Sequence, residues 1–166
     1  MLTNKAFDFA RRATLCLAVA TLLSACATVE KPLSVADTIA KTPSLSTLNG
    51  LIAAAGLSAD LQSPGPFTVF APNNEAFKAV KPATMDDLAK HPAKLKDLLT
   101  YHVVPALTLA KDVKNSTVKA LNGDPLALSK AGDFVTVENA AVVQSDLIAT
   151  NGVIHIVDTV MTPVKK

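Results

Sequence analysis

Three histidines, two cysteines and a scatter of carboxylates are the residues that could do chemistry here. His91, His102 and His155 invite a zinc site. None of them shows the short i, i+2 or i, i+4 pairing of a common zinc motif, so no metal and no other cofactor is expected. Both cysteines, Cys16 and Cys26, fall in the first 26 residues. Asp86 and Asp87 are adjacent carboxylates. Neighbours in sequence point different ways on a helix, which makes an acid/base pair improbable and charge complementarity at a helix N-terminus the better account. No serine lies in a Gly-x-Ser-x-Gly elbow, and with only 6 glycines there is no phosphate-cradling loop. These absences favour a non-enzyme.

The remaining polar candidates sit at the ends of apolar segments. Tyr101-His102 closes an apolar helical stretch. It is either a surface contact for a partner or a buried pair whose hydrogen bonds lock helix to sheet, and the second is favoured because buried polar groups normally find partners. His155 lies between Ile154 and Ile156 and reads as a core or half-buried histidine. His91, before Pro92, reads as exposed. Asp158 follows the last apolar run and suits a backbone cap. Asn73 lies between an apolar strand and a helix, where N-capping, with Glu75 complementing the dipole, is preferred to ligand contact.

The elements that must position these groups follow from periodicity. Ser34 can cap a helix carrying Val35 and Ile39. Leu45, Leu48, Leu51, Ile52 and Ala55 recur at helical spacing, with Gly56 as the stop and a short turn over 58–61. After the turn at Ser63-Pro64-Gly65-Pro66, residues 67–71 read as a buried strand. Thr84 with Asp87 resembles a capping box, and Pro92 opens a helix with Leu95, Leu98 and Leu99 inward. Val103 and Val104 end that helix, and Leu109 with Val113 suggests a short one. From Thr117 the period becomes two: a hairpin around Asn122-Gly123, a strand at 134–137, another at Val142-Val143, and a last strand, 153–157, apolar on both faces and so central or sandwiched. Helices first and strands second give an α+β order.

Composition bounds the function. Of 166 residues 49% are hydrophobic but only 4% aromatic, so aliphatic packing must dominate the core. Lys and Arg number 16 against 14 Asp and Glu; Lys5, Arg11, Arg12 and Asp8 precede Cys26, leaving 13 of each sign. A neutral domain lacks the basic stripe that nucleic-acid binding needs.

The first 25 residues read as an export signal: a positive start, an apolar run from Ala13 to Leu23 and small residues before Cys26. That run is shorter than the roughly 20 apolar residues a membrane span requires. Leu23-Ser24-Ala25-Cys26 resembles the lipobox of bacterial lipoproteins, which implies cleavage before Cys26 and its lipidation. Ala27, not an aspartate, follows and resembles outer-membrane sorting. The expected organisation is a cleaved signal (1–25), a lipidated tether (26–33), one domain (34–163) and a tail (164–166), with the membrane as a partner through the anchor.

Three blocks, in order, resemble the fasciclin domain family: residues 67–77 (FTVFAPNNEAF), Tyr101-His102-Val103-Val104-Pro105, and residues 151–158 (NGVIHIVD). The resemblance covers about residues 34–163. It implies a wedge of two packed β-sheets with several helices, and adhesion to cell surfaces, protein or polysaccharide. Animal relatives use an Asp-Ile pair for integrins; here Asp146-Leu147-Ile148 interrupts that pair, so integrin binding does not carry over. The competing expectation is an envelope carrier of a small apolar ligand, with a hydrolase as a weaker third.

Overall fold

The computed structural model describes residues 33–163; the segment expected to be an export signal, Cys26 with its expected tether, and the C-terminal tail lie outside the described residues. Six α-helices fill the first part: α1 (Val35–Lys41), α2 (Ser46–Ala54), α3 (Ser58–Gln62), α4 (Asn74–Ala79), α5 (Pro82–Lys90) and α6 (Pro92–Tyr101). Strand β1 (Phe67–Pro72) interrupts them. After α6 come β2 (Val103–Val104), β3 (Ser116–Lys119), β4 (Pro125–Ala131), β5 (Phe134–Val137), β6 (Ala140–Ala149) and β7 (Gly152–Val157). The fold is α+β.

Local chemistry explains most helix ends. Ser34 forms a reciprocal capping box with Asp37 at the start of α1. Asn73 accepts the Ala76 N–H at 2.7 Å at the start of α4. Gly56, at φ +70°, takes the left-handed conformation that ends α2. Proline stands in the first turn of both α5 and α6.

The seven strands follow the order β2-β1-β7-β6-β5-β4-β3. β1 and β7 pair in parallel, from Phe67 opposite Gly152 to Pro72 opposite Val157. The other neighbours are antiparallel. β6 joins two halves: its first residues pair with β5, while its length runs along β7 with register shifts between Val142 and Gln144 and between Gln144 and Leu147. Such irregularities bend a strand and increase its twist.

Side-chain alternation along β1 and β7 sends successive residues to opposite faces. Val69, Ala71, Ile154 and Ile156 face the helices, packing with Ile39, Leu45, Leu98 and Leu99. Phe70 and Val157 face the other way, against Leu126, Leu128, Val135 and Val137 of the β3–β5 half. β7 is buried throughout, as expected for a strand sandwiched between two layers.

Several local expectations are corrected. Val103 and Val104 are not the end of α6 but a strand paired with Val69 and Thr68. Leu109 to Val113 is a single turn, closed by Asp112 and Val113 N–H bonds to the Leu109 carbonyl. Thr84 does not begin a helix: α5 starts at Pro82, so Thr84 lies in its first turn. Asp86 and Asp87 therefore sit beyond the first turn of α5, and Asp87 serves instead as the partner of Lys94 (2.8 Å) and His91 (3.0 Å). The strand at Val142-Val143 extends over ten residues.

Candidate functional site

The polar residues singled out by type and spacing converge on backbone, not on one another. His102 ends α6, is 2% exposed, and is fixed at both ring nitrogens. Nδ1 lies 2.8 Å from the Leu98 carbonyl, to which it donates; Nε2 accepts the Met161 N–H at 3.1 Å. This pattern requires the neutral ring protonated on Nδ1. Burial pushes the His102 pKa down to about 4, against the opposing effect of the Leu98 bond. The imidazole thus ties the end of α6 to the segment after β7. Tyr101 beside it is buried, and its hydroxyl donates to the Pro125 carbonyl at 3.3 Å, tying α6 to the start of β4. Burial first, then the carboxylates of Glu138 and Asp124, raise the phenol's pKa.

His155 takes the opposite tautomer. Nε2 donates to the Thr108 carbonyl at 2.8 Å, and Nδ1 accepts the Asp146 N–H at 3.3 Å. The ring stacks on Phe70, centroids 5.5 Å apart. Burial also lowers this imidazole's pKa, against the Thr108 bond and the nearby Asp146 carboxylate. Asp146 sits in the irregular part of β6 at φ 57°, where aspartate is better tolerated than most residues, and its carboxylate accepts the Ala110 N–H at 2.9 Å. Asp158 accepts the Ala141 N–H at 2.9 Å, capping the start of β6.

Two residues that the sequence reading missed complete this framework. Thr68 is fully buried in β1; its hydroxyl donates to the Ala106 carbonyl at 2.6 Å and accepts the Thr108 N–H at 2.9 Å. A hydroxyl inside an apolar strand was the available signal. Lys130 adds donation from Nζ to the Ala110 carbonyl at 2.8 Å. The segment 105–112 is therefore strapped to the sheets by Thr68, His155, Asp146 and Lys130.

Asn151, legible only as a turn residue, clamps three elements. Its Oδ1 accepts the Val35 N–H, and its Nδ2 donates to the carbonyls of Leu61 and Ser63, each at 2.8 Å. Gly152 beside it is required by close approach: a Cβ there would collide with the Phe67 carbonyl oxygen of β1.

Among the described residues no cluster of three His, Cys, Asp or Glu could hold a metal ion. No helix of the described residues is long and apolar enough to cross a membrane. Two concavities stand out among the described residues. One, of about 250 Å³, opens between the helices and β1, walled by Leu48, Ile52, Leu57, Leu61, Val69, Leu99 and Val103, with Asp60, Thr100 and His102 also in its lining. The other is a more open groove of about 570 Å³ beside the β6–β7 turn, between Pro64-Gly65-Pro66, Leu107, Leu109, Ile148 and residues 149–153.

The fold and sequence have clear relatives. Residues 43–163 match the fasciclin domain model. The chain is 37% identical to the protein sll1483 of Synechocystis sp. over 82% of its own length and 77% of that protein's. It is 44% identical to sll1735 of the same organism over 70% and 87%. It also matches the transforming growth factor-beta-induced protein ig-h3 of Sus scrofa, 35% identical over 70% of this chain but only 17% of that much longer protein. A FAS1 domain pair from the insect cell adhesion molecule fasciclin I shares the fold, with a TM-score of 0.69 at 16% identity, covering 81% of this chain and 51% of that one. With the three blocks folded together around β1 and β7, the chain belongs to the fasciclin domain family.

Proposed function

We propose that the protein is an extracytoplasmic fasciclin-domain module, tethered to the outer membrane through lipidated Cys26, that mediates adhesion by binding a protein or polysaccharide and catalyses no reaction. The observation that carries this reading is the inward use of the signature residues. Tyr101, His102, Asp146, His155 and Asp158 are each engaged by backbone partners within the fold, and both buried imidazoles are held neutral by burial and geometry. Groups committed in this way knit a scaffold, leaving recognition to the outer surface. The family relation to a cell adhesion molecule supports the same class of function.

The expected outcome of a clean deletion in the host is weakened attachment to cells, surfaces or matrix, restored by the full chain. Unchanged attachment would reject the reading. The 250 Å³ apolar pocket favours a second one, carriage of a small apolar ligand. Its volume falls just below the usual range of about 300–1,000 Å³ for ligand pockets, so a compact molecule and not a whole phospholipid is the candidate. Native mass spectrometry of protein purified from the host separates the two: a retained apolar mass supports carriage, and an empty protein supports adhesion.

A further inference from the structure

We propose that the groove beside the β6–β7 turn is the face that this domain lays on the lipid bilayer holding its own anchor. The inference rests on the reading that Cys26 is lipidated, and adds to it an orientation. The described chain begins at this groove. The Leu33 carbonyl accepts from both the backbone N–H (2.9 Å) and the hydroxyl (3.1 Å) of Thr150, and the Val35 N–H is held by Asn151. Thr150 and Asn151 themselves line the groove. Only residues 27–32 lie between Leu33 and the acylated Cys26, and the seven Cα steps involved span at most about 25 Å when fully extended. The corner therefore cannot leave the neighbourhood of the lipid headgroups.

The side chains presented there suit that position. Ile148 is 78% exposed and Leu107 is 56% exposed, and both line the groove, with Pro64 and Pro66 alongside. Large aliphatic groups held open to water at one spot mark a contact site. The segment carrying Leu107 is not a loose loop: Thr68 and His155 bind the backbone on either side of it, at Ala106 and Thr108. Shallow insertion of aliphatic side chains supplements acyl chains in the way that a second signal firms up a lipid anchor.

The test uses the full chain, processed by a lipoprotein-competent host and reconstituted into vesicles of phosphatidylethanolamine with phosphatidylglycerol as the minor lipid. Cys16 and Cys26 are the only cysteines, so once the signal is removed and Cys26 is acylated an introduced cysteine is the sole reactive thiol. I148C, L107C and E75C are each labelled with an environment-sensitive fluorophore. Glu75 is a 74% exposed control in α4, which follows the far end of β1. The expected result is quenching by headgroup-proximal nitroxide lipid several times stronger at positions 148 and 107 than at 75. Equal quenching at all three positions overturns the proposal. A shielded label at 148 that lipid nitroxide does not reach also overturns it, because the tether or a protein would then fill the groove. If the unsubstituted protein is labelled at Cys26 and mass analysis finds no acyl chain, the lipidation reading falls and the orientation falls with it. An acylated protein that floats with vesicles yet shows no positional difference overturns the orientation alone.

Discussion

The two faces of the central strands β1 and β7 are built on different principles. Toward the helices the packing is entirely apolar and mostly aliphatic: Val69, Ala71, Ile154 and Ile156 meet leucine and isoleucine, with Phe77 as the buried aromatic. On the other face Phe70 and Val157 share the interior with Thr68 and His155, and His102 stands where α6 meets the segment after β7. Helices bring their own backbone bonds and need only an apolar surface to lie on. The irregular segments 105–112 and 158–163 bring carbonyls and N–H groups with no ladder to join, and buried side chains must supply their partners. The buried polar residues of the fasciclin blocks are thus found where irregular chain covers sheet.

If the aliphatic face carries the larger share of stability, Ile154→Ala should produce the largest loss. Emptying this fully buried site is expected to cost about 2–5 kcal/mol, seen as a lower urea midpoint with an unchanged slope. A smaller effect would mean that the polar face dominates.

Acid probes the polar face next. His102 has a folded-state pKa of about 4, below its unfolded value near 6.5, so the unfolded chain binds the proton more readily. Its contribution is complete above pH 6.5 and is lost as pH falls toward 4, about 3 kcal/mol in all. The lowered pKa of His155 acts in the same direction. Urea midpoints across this window should fall with pH, and H102Q should flatten the dependence; a wild-type profile already flat between pH 6.5 and 4 would remove the neutral imidazole from the account.

The smallest expected change is the most local. Thr68→Val preserves shape but strands the Ala106 carbonyl and the Thr108 N–H, at a cost of about 1–3 kcal/mol. Amide exchange at Thr108 should quicken while exchange in α1 and α6 stays near its original rate. Equal quickening throughout would show that the strap and the helical face unfold as one unit.

What could be read beforehand divides along the same line. The caps at Ser34 and Asn73, the stop at Gly56 and the buried run of β7 depend on residues a few positions apart, and these were legible. Val103-Val104 became a strand because β1 offers a free edge, which no local pattern reveals. The length of β6 was hidden by its irregular middle, where Asp146 turns to positive φ and breaks the alternation. Thr84 and Asp87 matched a capping pattern, but Pro82 had already started the helix. For the site, the burial of Tyr101, His102 and His155 could be read from their apolar surroundings. The groove could not, since Leu107, Ile148 and Pro64 are brought together only by the fold.

The attachment of Leu33 to Thr150, with Asn151 holding Val35, bears on how the molecule responds to mechanical force. A pull from upstream of Leu33 does not begin by peeling helix α1 from the surface. Tension passes through those bonds into the hairpin that leads to β7, the strand flanked on both edges and covered on both sides. A load applied from that side would thus strain the protein at its most deeply seated part, where rupture requires shearing several backbone bonds together.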